Sequence, residues 1–268
     1  MIAKDNREFL DQLEKAGEAI RIKQEVDWDC EAGAIVRRAC EIGAPAPFFQ
    51  KIKDYPGHRM AGGLLSTPKR IAILLGMDLN SSIRQLIDEF AERKKNRIKP
   101  VLVKDAPCQQ NVAMGKDVNL SMFPIPMVHD GDGGRYITWH ALINKDPDTG
   151  WVNWGMYRDM VHNEHLVGCL ALPHSDAGRI MAKYEWKGEG MPFAIAIGLP
   201  PACAFTAACS LGAGVSEVEV AGALQGEPVE LVKCKTVDLE VPAYSEIVLE
   251  GHVPVSYTHL TLPTKRIV

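Results

Sequence analysis

The chain has 268 residues, 46% of them hydrophobic and 24% charged, with a formal net charge of -4. This is the composition of a folded protein long enough for two ordinary domains or one large one, which sets aside a disordered chain. Its one basic cluster, "ERKKNRIK" at residues 92–99, reads as the solvated end of a helix, where cations suit the dipole, and the chain offers no nucleic-acid surface of basic residues interleaved with aromatics.

The N-terminal stretch "MIAKDNREFLDQLEKAG" is amphipathic and charged, unlike a signal peptide, and no apolar run reaches membrane-spanning length. Asp5 and Glu8 are spaced for a capping box, Phe9, Leu10 and Leu13 form an apolar stripe, and Gly17 supplies a stop. The strand "AIRIKQEV" follows, then a helix from Ala32 to Ile42 closing at Gly43, and strand-like runs at "PFFQKI" and "RMAGGLL". Thr67 and Pro68 make an N-cap and first-turn pair for "KRIAILLG", and "NSSIRQLIDEFAERKK" reads as another capped helix. Residues 1–105 therefore read as an N-terminal α/β domain.

From Lys99 the pattern changes, and "KPVLVKDAPCQQNV" with the Pro-rich "MFPIPMVHDGDGG" leads into a second domain at residues 106–255. There "YITWHALI", "WVNWGMYRDMV" and "HLVGCLAL", separated by the turns "NKDPDTG" and "HNE", predict an antiparallel meander. "SDAGRIMAKYEWKG" reads as a helix, "PFAIAIG" as a strand, "LPPACAFTAAC" and "VSEVEVAGALQG" as helices, and "VELVKCKTV" and "SEIVLEGHV" as closing strands. The second domain is thus mixed α+β with a barrel-like antiparallel part. Seven cysteines, odd in number and without a C-x-x-C pair, fit reduced thiols in a cytoplasmic protein.

Three local patterns carry chemistry. In "WVNWGMYRDM", Asn153 and Arg158 are separated by an odd number of residues, so an uninterrupted strand would aim them at opposite faces; a shared site needs a bulge or strand end near Gly155. In "LALPHSDAGRI", His174 sits where a strand passes into a helix, either beside amides that bind an anion or beside a Ser175 or Asp176 that only caps the helix. In "CSLGAGVSEVEVAGAL", a glycine loop precedes a helix with Glu217 in its first turn, either a surface carboxylate or an oxygen ligand for a hard cation. His162 and His165 flank a turn and read as solvent-exposed, and the hydrolase and P-loop signatures are absent.

Taken together, "GDGGRYIT", "VNWGMYRDMVHNEHLVG", "LPHSDAG", "GVSEVEVAGALQGEPVELVKCKTVDLEVPA" and "SEIVLEG", in that order, resemble the UbiD family of prenylated-FMN-dependent decarboxylases over residues 5–254. The phenolic and aromatic acid branch is the most similar. The resemblance implies a split antiparallel β-barrel of flavin-reductase type and non-oxidative, reversible decarboxylation of an aromatic, phenolic or α,β-unsaturated acid. It implies a divalent cation, usually manganese, held by Asn153, His174 and Glu217 against the flavin phosphate, with potassium as a further ion. Arg158 matches the catalytic arginine, and flavin contacts fall on Met156, Tyr157, Arg158, Leu170, Ala171, Leu172, Ser175 and Asp176. The cofactor would supply the electron sink that a carbanion at an sp2 carbon lacks, a flavin prenyltransferase would supply the cofactor, and full-length members would form homo-oligomers.

The family's two catalytic acids follow the "SEIVLEG" block in a pattern that this sequence does not contain. Residues 256–268, "SYTHLTLPTKRIV", resemble translated sequencing adapter and are expected not to be native, and the family's C-terminal domain is absent. Glu246 and Glu250 precede the acids and receive no catalytic role. The expectation is a fragment that keeps the metal and phosphate side of a decarboxylase site, lacks its proton donor and is inactive, with surfaces left uncovered. The alternatives are a flavin-binding or assembly protein that never catalyses, and another oxidoreductase on a similar barrel.

Overall fold

A computed structural model describes residues 2–212, 214–255 and 266–267. The N-terminal part runs α1 (Asn6–Lys15), β1 (Ala19–Val26), α2 (Glu31–Glu41), β2 (Ala46–Ile52), β3 (Met60–Ala61), α3 (Pro68–Leu75) and α4 (Ile83–Arg93). β1 and β2 pair in parallel through the α2 crossover, and β3 adds antiparallel to β2. The capping residues act as their chemistry predicts. Thr67 accepts from Arg70 N with Pro68 opening α3, and Ser82 forms a full capping box with Gln85. At α1 the box is displaced by one residue: Asp5 accepts from Arg7 N and Glu8 N, while the Glu8 carboxylate takes Lys4 N. The run "RMAGGLL" keeps only two strand residues: Gly62 N still donates to the Pro47 carbonyl of β2, and Gly63, at a φ of 69°, then turns the chain away.

The second part runs β4 (Val101–Leu102), three short 3-10 turns within residues 107–122, then β5 (Arg135–Ile137), β6 (His140–Lys145), β7 (Val152–Gly155), β8 (Asp159–Asn163) and β9 (Leu166–Cys169). There follow α5 (Asp176–Lys187), β10 (Met191–Ile197), α6 (Pro201–Ala207), α7 (Glu217–Gln225), β11 (Glu230–Lys233), β12 (Glu240–Pro242), β13 (Ile247–Val253) and β14 (Arg266–Ile267). The expected continuous meander does not form. "YITWHALI" is cut at Trp139, whose φ of 52° lies in the left-handed region, and "WVNWGMYRDMV" is cut between Gly155 and Asp159. The strands therefore sort into two sheets, β13-β10-β6-β7 and β14-β9-β8-β5. Among the described residues neither sheet closes on itself, so the split barrel is corrected to two open four-stranded sheets. A third small sheet, β12-β11-β4, ties the connection after α4 to the end of the chain's second part.

One apolar core passes through both parts. Phe9 and Leu13 of α1, Phe48 of β2, Leu74 and Leu75 of α3, Ala141 and Ile143 of β6 and Val220 and Leu224 of α7 belong to a single buried cluster. Fully burying side chains of this size contributes about 1.5–3 kcal/mol each. A second cluster, including Ile137, Leu142, Ile180, Phe193 and Ile195, fills the space between the two four-stranded sheets and α5. All seven cysteines are free, and among the described residues no helix is long and apolar enough to cross a membrane. The expectation of a non-native tail falls mostly outside the described residues.

Candidate functional site

The two strand breaks face each other, and that is how the site is built. His140, the first residue after the Trp139 break, places Nε2 2.6 Å from the carbonyl oxygen of Tyr157 and 3.1 Å from Asp159 Oδ2. It thereby ties the start of β6 to the residues on both sides of Arg158. This accounts for the odd spacing of Asn153 and Arg158: β7 ends at Gly155 and β8 begins at Asp159, so Asn153 lies in β7 while Arg158 lies in the connection that leads into β8. A strand end near Gly155 is one of the two breaks, bulge or strand end, that a shared site would need.

Asn153 is 2% exposed and lies opposite Asn144 of β6, to which its Nδ2 donates at 2.9 Å. The next residue, Trp154, donates its backbone N–H to Glu217 Oε2 at 3.2 Å. β7 and the first turn of α7 are thus joined at the ligand-like side chains. Ser216 caps α7 through Glu219 N, and Glu217 is 5% exposed. Burial pushes the Glu217 carboxyl up to about 7; its own backbone N–H and that of Trp154 oppose the rise, and the charge of Asp176 adds to it. A buried carboxylate in this position gains from a cation beside it.

The loop after β9 completes the surroundings. Ser175 Oγ accepts from Gly178 N at 3.2 Å and donates to the Leu172 carbonyl at 2.7 Å, and the Tyr157 hydroxyl accepts from Ala177 N at 3.2 Å. Two amides at the start of α5 are therefore satisfied within the chain, and Ser175 acts as the cap. Asp176 instead pairs with Arg179. Ala171 is buried, whereas Leu170 and Leu172 are 39% and 44% exposed, leaving two apolar side chains open beside the strap. Met156 is half-buried, its N–H donating to the Ala207 carbonyl at 3.2 Å. A Cβ on Gly178 would stand 2.1 Å from the Leu172 carbonyl oxygen, so the strap carrying His174 rests directly on this glycine. Gly178→Ala is expected to destabilise the chain by roughly 1–3 kcal/mol and to displace residues 172–175, read by thermal unfolding and by hydrogen exchange across that segment.

The fold thus brings Asn153 and Glu217 together through Trp154, and Tyr157, Ser175 and Asp176 together around Ala177. His174 and Arg158 are exposed, and neither makes a hydrogen bond or ion pair within the described residues. No three His, Cys, Asp or Glu side chains gather in a metal-binding arrangement among the described residues, so a cation here would depend on the Asn153 amide as well as on His174 and Glu217. Glu246 pairs with Arg7, and Glu250 accepts Lys235 N and Thr236 N; both carboxylates hold structure. A cleft of about 850 Å³ between residues 107–123 and β13 contains none of the predicted site residues. Sequence reasoning missed Asn144, His140 and Asp159. Their one local signal is polarity inside strand runs whose neighbours are apolar.

Comparison with known proteins decides the family. Residues 99–262 match the 3-octaprenyl-4-hydroxybenzoate carboxy-lyase Rift-related domain and residues 10–90 the matching N-terminal domain. The chain belongs to the UbiD family. It is 37% identical to the pyrrole-2-carboxylic acid decarboxylase of Pseudomonas aeruginosa over 97% of this chain and 55% of that protein. Among solved UbiD-class structures, the closed form of the Sedimentibacter hydroxybenzoicus vanillic acid decarboxylase superposes with a TM-score of 0.90 at 37% identity, over 95% of this chain and 56% of that one. An evolved dimeric form of HmfF from Pelotomaculum thermopropionicum in complex with prFMN gives 0.88 at 31% identity, over 99% of this chain and 64% of that one. The chain spans about half the length of the curated UbiD relatives it matches.

Proposed function

We propose that this chain provides the cofactor- and metal-holding part of a carboxy-lyase that removes carbon dioxide from an aromatic, phenolic or α,β-unsaturated carboxylic acid. The observation that carries this reading is the joining of Asn153 and Glu217 through the Trp154 amide, on neighbouring elements, in a chain whose relatives are decarboxylases. The donor set fits a divalent cation such as manganese. The Asn153 Nδ2 is already occupied by Asn144, which leaves an amide oxygen; Glu217 is a buried carboxylate; and the His174 imidazole has no partner within the described residues. Two neutral ligands and one carboxylate leave net positive charge on the ion for a phosphate.

Prenylated FMN, when bound, supplies the electron sink that decarboxylation at an unsaturated carbon needs. The chain's own residues hold and orient. Met156, Tyr157, Leu170, Ala171, Leu172, Ser175 and Asp176 are the residues that would contact it, with the exposed Leu170 and Leu172 offering apolar surface to a ring system. Arg158, exposed and without an ion pair among the described residues, presents its guanidinium to the substrate carboxylate in a two-pronged pair. Potassium is a second ion for the same site, a flavin prenyltransferase supplies the cofactor, and the whole protein assembles as a homo-oligomer in the cytoplasm.

The 268-residue chain is to be titrated with FMN in the presence and absence of Mn2+, following flavin fluorescence. Binding that needs Mn2+ and is reversed by a chelator is expected. Flavin binding indifferent to Mn2+ and unchanged in Asn153→Ala would sink the metal bridge. The reaction is tested on the full-length protein produced with a flavin prenyltransferase, where decarboxylation without prenylated flavin overturns the cofactor assignment.

A further inference from the structure

Asn144 is 0% exposed, and its amide lies between two partners on neighbouring strands. Its Nδ2 donates to the Met191 Sδ of β10 at 3.4 Å, and its Oδ1 accepts from the Asn153 Nδ2 of β7 at 2.9 Å. β10, β6 and β7 are consecutive in one sheet, so Met191, Asn144 and Asn153 form a line of side chains across three strands. Met191 is 3% and Asn153 2% exposed, so the line is buried along its length.

The polarity of the line follows from elementary chemistry. A thioether sulfur carries no hydrogen and can only accept. The Asn144 NH2 must therefore face the sulfur, its carbonyl oxygen must face Asn153, and Asn153 must answer with its NH2. The Asn153 Oδ1 is then the atom turned away from the line. An amide oxygen is a hard ligand suited to divalent cations, while an amide nitrogen, its lone pair delocalised, would aim hydrogens at the ion.

We propose that Asn144 is a positioning residue that fixes which atom of the Asn153 amide faces the cation, with Met191 setting the direction. The inference rests on the reading of Asn153, His174 and Glu217 as metal ligands. It goes beyond that reading by adding an orienting shell that only this juxtaposition of strands creates. Orienting partners of metal ligands contribute 10–100-fold to affinity as a rule, by holding the ligand in one rotamer and one orientation.

Mn2+ binding to the purified chain, read from the free Mn2+ signal in electron paramagnetic resonance, tests this without any turnover. Asn144→Leu keeps the shape and removes the acceptor, and is expected to raise the Kd about 10–100-fold. Asn144→Asp, in its protonated form, reproduces both partners of the asparagine and is expected to recover the affinity to within about threefold of wild type. Met191→Leu conserves volume and so keeps the fold in place; losing the acceptor that sets the direction, it is expected to weaken Mn2+ binding roughly 3–10-fold. Thermal unfolding of each variant separates lost ligand geometry from lost fold. Equal affinity in wild type, Asn144→Leu and Met191→Leu overturns the inference, as does an Asn144→Asp chain as weak as Asn144→Leu. A wild-type chain that binds no Mn2+ overturns the ligand reading itself, and the inference with it.

Discussion

Glu217→Gln is expected to make the metal-free chain more stable at pH 8 and to remove the stabilisation that the proposed Mn2+ site gives. Burial raises the Glu217 carboxyl from the ordinary 4.5 to about 7. Between those values the folded chain keeps a proton that the unfolded chain has released, so stability is highest toward the acid side and declines as pH rises through about 7. The full loss corresponds to about 3 kcal/mol at roughly 1.4 kcal/mol per pH unit. Other perturbed carboxylates act elsewhere. Asp148 beside Lys187 and Asp238 beside Lys145 are pulled below the usual range, and their contribution is complete by about pH 5.

A glutamine still accepts the Trp154 N–H but carries no charge to bury, so its stability should be flat across this window. Mn2+ opposes this order, because a cation at the carboxylate stabilises only the wild type: by about 2.7 kcal/mol at a hundredfold excess over Kd, which cancels most of the difference, and by about 4.1 kcal/mol at a thousandfold excess, which reverses it. Urea unfolding of both chains at pH 5.5 and 8, with and without Mn2+, measures these differences. If both chains share the same pH slope, the buried-carboxylate account is wrong; if both respond equally to Mn2+, Glu217 is not a ligand.

Arg70→Met should remove about 3–5 kcal/mol of stability, the largest single effect expected away from the site. Arg70 is 1% exposed, and its guanidinium donates to the Gly63 carbonyl at 2.6 Å, Ser66 Oγ at 2.7 Å, Glu18 Oε2 at 3.2 Å and the Ala44 carbonyl. One side chain on α3 thus binds the approach to β1, the approach to β2 and the turn after β3. Removing it leaves the Gly63 and Ala44 carbonyls without this donor and the half-buried Glu18 carboxylate with Lys69 at 3.7 Å. Arg70→Lys should recover only part of the loss, since an ammonium cannot span the same fork of acceptors. Chemical denaturation followed by circular dichroism gives the values, and a loss under about 1 kcal/mol for Arg70→Met would refute this account.

The helices were legible because what starts and stops them is local. Thr67 with Pro68, Ser82 with Gln85, Ser175 and Ser216 all act on amides within three residues of themselves. The strand "AIRIKQEV" was legible for the same kind of reason, and it forms over Ala19–Val26 as read. Sheet membership was not legible. "YITWHALI" reads as one strand because β-branched and aromatic residues dominate it, and only the packing that turns Trp139 to positive φ assigns its halves to different sheets.

The site divides in the same way. By itself the sequence singled out Asn153, Arg158, His174 and Glu217 as candidates, because the motifs that carry the family resemblance are short and contiguous, and it called for a bulge or strand end near Gly155 if Asn153 and Arg158 are to share a site. The tertiary structure decided what holds them. Asn144 meets Asn153 across a hairpin, Met191 reaches Asn144 from 47 residues away, and His140 reaches Tyr157 and Asp159 across the facing strand break. Such partners are chosen by register and sheet order, which depend on how distant apolar faces are buried together, and no local pattern of residues encodes that choice.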